Sequence, residues 1–399
     1  MLKSIKMTIA GLLVSVIAAC ASPPKNSPEL GGLSFSNLNE ADQRNAESIQ
    51  PQTRLLLQQR LKDIWLQGAR KCVPAAGDGF EQFPSKMVIE NPIGGTAPYK
   101  CDDGDAVLFG GLLCSVDILE GCDVVRLSAG PVKELVPNRP SIYSKVNQWW
   151  RSPRRVDEPD PNRPGQDFTE LSPDMGMGIQ IYALHRVLKF NDLNAKQQFQ
   201  YWLNWVDSSA PCLVEIGSAC VQWGWPRFCT RDRNERGCTM RPGDLALLNE
   251  TLDAFRRNGT SIAINPDSRS LLKIALSTSY RRHSELTFLN ANLNETGYSL
   301  HLVGLDVYLR KYIMRNPDPF IDLAASKLAE RQPQNPFFEY LNNGATERAA
   351  SLVLKRCPAA LPPMGHSFYQ WMWERSDSSK PDKDTMYWDC AFMGALLLE

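Results

Sequence analysis

From Arg54 onward, apolar residues recur at helical spacing almost to the end of the chain, and this restricts the fold to an all-α class. The stretch Arg54–Gly68 carries Leu55, Leu56, Leu57, Leu61, Ile64, Trp65 and Leu66. Asp105–Leu119 is almost continuously apolar, and Asp174–Phe190 holds Met175, Met177, Ile179, Ile181, Tyr182, Leu184, Val187 and Leu188. Further helical stretches are expected over 195–206, 243–255, 268–280, 298–313, 319–328, 337–341, 346–354 and 385–398. Convincing period-two runs are missing, so strands are expected only as short hairpins within 124–139 and 212–238, with one more short helix allowed near Val124. No period of fixed length repeats, which disfavours a solenoid.

Some of these helices are apolar on most sides, as buried helices are. Others, such as Ala195–Val206, are amphipathic and suit an outer layer. In helix count and helix entrances over Arg54–Glu399, the chain resembles the six-hairpin α/α toroid of glycoside hydrolases and polysaccharide lyases. The resemblance implies an inner ring of helices with a sugar site at one end. The alternative is an irregular helical bundle.

The first residues set the compartment. Lys3 and Lys6 precede an apolar run from Met7 to Ala19, the pattern of a secretory signal. The run is shorter than the about 20 residues a membrane-spanning helix needs. It ends Ile17-Ala18-Ala19-Cys20, which resembles the lipobox of bacterial lipoproteins. That resemblance implies cleavage before Cys20 and acylation of its thiol, with palmitate among the chains. Ala21, not aspartate, follows the cysteine, and this implies sorting to the outer membrane. Residues 1–19 are therefore read as signal peptide, 20–40 as a flexible tether rich in Pro, Ser, Gly and Asn, and 41–399 as one helical domain. The membrane is the first expected partner, reached through the N-terminal lipid.

Apart from Cys20 the chain has ten cysteines, an even number that reads as disulfides in an oxidising envelope. None of them has the C-x₂₋₄-C spacing of zinc ligands, so no metal is expected. Cys114 with Cys122 and the group Cys212–Cys238 suggest local staples, and Cys357 with Cys390 a clamp on the C-terminal segment. Lys plus Arg and Asp plus Glu each number 44, so the chain has no net charge to recommend a nucleic acid. No P-loop, H-E-x-x-H or G-x-S-x-G motif is present, and Gly176-Met177-Gly178 lacks the third glycine of a dinucleotide site. No cofactor is expected.

Three helix entrances carry acid. Cys101-Asp102-Asp103-Gly104-Asp105, Leu171-Ser172-Pro173-Asp174 and Arg241-Pro242-Gly243-Asp244 each place an aspartate where an apolar helix begins. Aspartate is a favoured cap there. Three such entrances on one inner ring would also gather carboxylates at one end. Glycosidic cleavage uses two, about 5–5.5 Å apart for retention or about 6.5–9.5 Å for inversion. Asp105 and Asp174 are the leading catalytic candidates, followed by Asp103, Asp244 and Glu374.

Two aromatic segments suit a sugar. Trp149-Trp150-Arg151-Ser152-Pro153-Arg154-Arg155 combines stacking faces with guanidinium forks that fit an anionic glycan. His366 and Trp371 lie in a second aromatic segment that contains Glu374. Trp149, Trp150, Arg151, Trp371 and His366 are the expected substrate contacts; the alternatives are a core tryptophan pair with a solvated basic loop, or a patch that meets anionic lipid headgroups, and for the second segment a cap clamped by Cys357–Cys390. Of the other histidines, His185 reads as a core residue, His283 after Arg281-Arg282 as solvated, and His301 as a residue facing the helix entrances. The expected function is an envelope lipoprotein that binds a carbohydrate or cell-wall glycan and cleaves it with paired aspartates. The alternative is a non-catalytic envelope protein that holds another protein or the cell wall.

Overall fold

The computed structural model describes residues 48–67, 86–89, 99–102, 106–130, 147–153, 171–209, 212–216, 219–222, 225–228, 239–263, 272, 276, 283–316, 318–357 and 387–399. They form α1 (Pro51–Gln67), β1 (Lys86–Ile89), β2 (Tyr99–Asp102), α2 (Ala106–Ser115), α3 (Leu119–Leu127), α4 (Pro173–Phe190) and α5 (Leu193–Ser208). Then come β3 (Cys212–Ile216), β4 (Ala219–Gln222), α6 (Pro242–Arg257), α7 (His283–Leu293) and α8 (Tyr298–Tyr308). α8 runs on into a π-helical turn (Leu309–Ile313) and is followed by α9 (Pro319–Arg331), α10 (Pro336–Asn343), α11 (Glu347–Arg356) and α12 (Tyr387–Leu396). All belong to one compact unit, 46–399. None of the described helices is long and apolar enough to cross a membrane.

Local chemistry explains where the helices begin. Asp192, Asp318, Asn335 and Thr346 accept hydrogen bonds from backbone N–H groups in the first turns of α5, α9, α10 and α11. Proline opens α4, α6, α9 and α10, where its missing N–H costs nothing. Asn191 ends α4 in the left-handed conformation at φ 52°.

α2 is buried at every residue. It touches α4 through the main chain. A Cβ on Gly111 would lie 2.4 Å from the Gly178 carbonyl oxygen, and one on Gly178 would lie 2.5 Å from that of Val107. Close approach therefore offsets the helix cost of these glycines, about 1 kcal/mol each. The two helices are parallel: Val107 lies beside Gly178, and ten residues later Asp117 meets His185. α3 returns antiparallel, with Gly121 against Gly110, and Cys114–Cys122 closes the hairpin. Its outer side shows Leu119, Glu120, Asp123, Arg126 and Leu127 to solvent.

The helix packing closes on itself. α2 packs on α4, α4 on α6, α6 on α7, α7 on α9, α9 on α10, α10 on α11, α11 on α12, and α12 on α2 again. α8 packs inside this course against α4, α7, α9 and α10. This is the expected α/α toroid, stapled by disulfides, with the two short hairpins β1–β2 and β3–β4 added. Cys357–Cys390 joins α12 to the residue that follows α11, as expected.

Near Val124 the sequence allowed either a hairpin or one more short helix, and residues 124–127 are helical, because Val124 and Val125 share the buried face of α3 with Gly121 and Cys122. Strand pairing there is limited to a bridge between Ala129 and Trp149. A hairpin not foreseen pairs 86–89 with 99–102. The apolar run 105–119 is not one helix. Ser115 donates its hydroxyl back to the Leu112 carbonyl, and Asp117 turns the chain at φ 60°.

Candidate functional site

The parallel course of α2 and α4 puts their N-termini at one end of the ring. α6 starts there as well. Gly176, in the first turn of α4, packs on Phe228, and Arg227 pairs with Thr239 just before α6. Further along, the Thr251 hydroxyl donates to Gln180 Oε1 at 2.8 Å. Two of the three predicted acid-bearing entrances, those of Asp174 and Asp244, thus share one end, and α2 begins there at Ala106.

A chain of polar contacts lies at this end. The Val107 N–H donates to the Arg151 carbonyl at 3.1 Å, which seats residue 151 at the mouth of α2. Arg151 Nη2 donates to Ser172 Oγ at 3.3 Å. The Ser172 hydroxyl in turn donates to Asp174 Oδ1 at 2.5 Å. Asp174 is 4% exposed, in the first turn of α4, where the helix dipole favours an anion. Two candidates from distant motifs, Arg151 and Asp174, are joined through one serine.

At the start of α6, the Arg241 backbone N–H donates to Asp244 Oδ2 at 2.7 Å. Burial pushes the Asp244 carboxyl up, and the Arg241 N–H, the Arg241 charge and His283 oppose this without cancelling it. Beside Asp244 lies a buried charge cluster that the sequence reading missed. Arg310 holds Asp306 Oδ1 through Nε at 2.8 Å and Glu250 Oε2 through Nη1 at 2.6 Å. The Thr287 hydroxyl donates to Asp306 Oδ2 at 2.5 Å, and His283 Nε2 lies 3.3 Å from the same oxygen. Burial alone would raise Asp306, but Arg310, His283 and Thr287 outweigh it and hold the carboxyl well below the usual range. Glu250 goes the other way: burial and the neighbouring Asp306 raise it despite Arg310.

One signal for this cluster was present. Asp306 and Arg310 stand four apart in an otherwise apolar helix, the spacing of a same-face pair. The π-helical turn begins at Leu309, and such turns recur at functional sites. His283 is a correction. It is buried, not solvated, because its ring packs on Gly243, where a Cβ would lie 3.1 Å from its Cε1. His301 is also buried, and burial holds it well below its usual value, hence neutral. His185 is the core residue expected, with Nε2 3.0 Å from Asp117 Oδ1.

Trp149 lies in the core and not on a binding surface. Its indole N–H donates to the Val125 carbonyl at 2.7 Å, and its ring meets Tyr182 and Trp202 edge-on. Trp150 is buried too, while Arg151 is half-buried. Cys20, Asp103, Asp105, His366, Trp371 and Glu374 lie outside the described residues.

No protein-family model matches the chain, and no curated protein matches it. Among solved structures, the chain is similar to a mutant of Rex8A from Paenibacillus barcinonensis complexed with an arabinofuranosyl-xylotetraose. The likeness covers 86% of this chain and 91% of that one, at 12% identity and a TM-score of 0.37.

Proposed function

We propose that the chain is an outer-membrane lipoprotein, anchored through Cys20, whose helical ring binds an anionic carbohydrate and cleaves it between carboxylates at the shared helix entrance. The signal occupies 1–19, the tether 20–40 and the working domain 41–399. The observation that carries the reading is the Arg151–Ser172–Asp174 chain at the mouths of α2 and α4. Asp105 directly precedes α2 and supplies the second carboxylate. Asp244, raised by burial, is the carboxyl suited to hold a proton for the leaving oxygen. Arg151 has the planar fork that matches a uronate carboxylate.

Binding tests the recognition half. Calorimetric titration should show oligogalacturonate binding more tightly than a neutral xylo-oligosaccharide, with the difference shrinking as salt rises. Arg151→Ala should weaken the anionic ligand by about tenfold or more, the worth of a charge-assisted hydrogen bond. Equal affinities for both glycans, or an unaffected Arg151→Ala, would remove this role. Fractionation tests the anchor: the wild type should sediment with outer membranes and Cys20→Ser should not. A Cys20→Ser variant that still sediments with them would refute lipidation there.

A further inference from the structure

A sugar site needs an apolar face as well as charge, because a pyranose ring turns C–H groups to either side. Trp149 and Trp150, the expected faces, are buried, and Trp202 and Trp205 are buried with them. Trp225 is 46% exposed. A covered indole buries about 150–250 Å², so Trp225 leaves a large flat apolar surface uncovered.

The segment that carries Trp225 is fixed in place. The Met240 N–H donates to the Pro226 carbonyl at 2.9 Å, and Arg227 pairs with Thr239, both just before α6. The Arg227 N–H donates to Ser209 Oγ at 2.7 Å, at the end of α5. The Phe228 ring stacks on Trp202 at 6.3 Å and packs on Gly176, where a Cβ would lie 2.6 Å from Phe228 Cε1. Gly176 is in the first turn of α4, the turn of Asp174. Three residues span at most about 10 Å, so the Trp225 backbone lies no farther than that from Phe228. Pro226 keeps the Trp225 backbone out of the helical region. Trp225 is thus an exposed aromatic on a rigid support, at the mouth that Asp174 shares with Asp244.

We propose that Trp225 is the stacking platform of this mouth, taking the face of one pyranose ring while Arg151 takes a uronate carboxylate. The role rests on the carbohydrate reading and adds a specificity residue to it. The two contacts differ in kind. Stacking is apolar and serves neutral and anionic rings alike, whereas the Arg151 contact serves only a charged ring and weakens with salt. Calorimetric titration of the full chain with oligogalacturonate and a neutral xylo-oligosaccharide separates them. Trp225→Ala should weaken both glycans by about tenfold, and by a similar factor at low and high salt. Arg151→Ala should weaken the anionic glycan alone. Trp225→Phe keeps an aromatic face and should restore most of the affinity. Fluorine NMR of protein labelled with fluorotryptophan reads the contact itself: the resonance missing from Trp225→Phe should shift when either glycan is added. Glycan binding with that resonance unmoved, an unchanged affinity of Trp225→Ala, or a loss confined to the anionic glycan would overturn the platform and leave the carbohydrate reading standing. A folded wild type that binds neither glycan would remove both.

Discussion

Arg310→Ala is expected to destabilise the domain by about 3–5 kcal/mol, the usual cost of removing one partner from a buried ion pair. Arg310 is 2% exposed and is the cation shared by Asp306 and Glu250. Without it, Asp306 is left charged in the interior with only Thr287 and His283 to meet it. Arg310→Lys keeps the charge but loses the fork that reaches both carboxylates, so its cost should be intermediate. Replacing Arg310 and Asp306 together with leucine should recover part of the loss, because the buried Asp306 charge is gone and the half-buried Glu250 is the carboxyl that loses its partner. Denaturant midpoints at constant slope measure all three.

The same cluster fixes a pH dependence. Asp306 is held below its unfolded value, so its stabilisation is complete above the usual carboxylate range and is lost as pH falls through its folded value. Glu250 is raised, so it opposes folding above its usual value and that penalty fades as pH falls. Arg310→Ala should flatten the acid limb that Asp306 contributes.

Asp174→Asn should lower the rate of glycan cleavage by about 10²–10⁴-fold, the range for loss of a positioned acid or base. The amide keeps the shape of the carboxyl and can still meet the Ser172 hydroxyl, so folding and glycan affinity should change little. A residue that only complements the dipole of α4 would give the opposite result: a stability loss of about 0.3–1 kcal/mol with no effect on rate. The split between rate and stability therefore separates catalysis from a dipole role.

The helical class and the closed ring were legible because buried and half-buried helices alternate along the chain. The same pattern did not show where a helix stops. The apolar run at 105–119 hides its break, which rests on the Ser115 hydroxyl and the left-handed turn at Asp117. Asp174 was legible from its motif, and Arg151 from its own. Their meeting through Ser172 was not, since it depends on the parallel pairing of α2 with α4. Trp149 stayed open in the sequence because an aromatic pair before arginines looks alike in a binding loop and in a core; the carbonyl of Val125 decides for the core. His283, Asp306 and Glu250 come from three helices, and no local pattern links residues that far apart.

Cleavage itself is the central claim, and release of reducing ends measures it most directly. The protein is incubated with a panel of uronate polymers and peptidoglycan glycan strands, alongside Asp105→Asn and Asp174→Asn. The account predicts steady release by the wild type from at least one anionic glycan, and a loss of about 10²–10⁴-fold in each variant. No release from any substrate, or equal release by all three proteins, would contradict it.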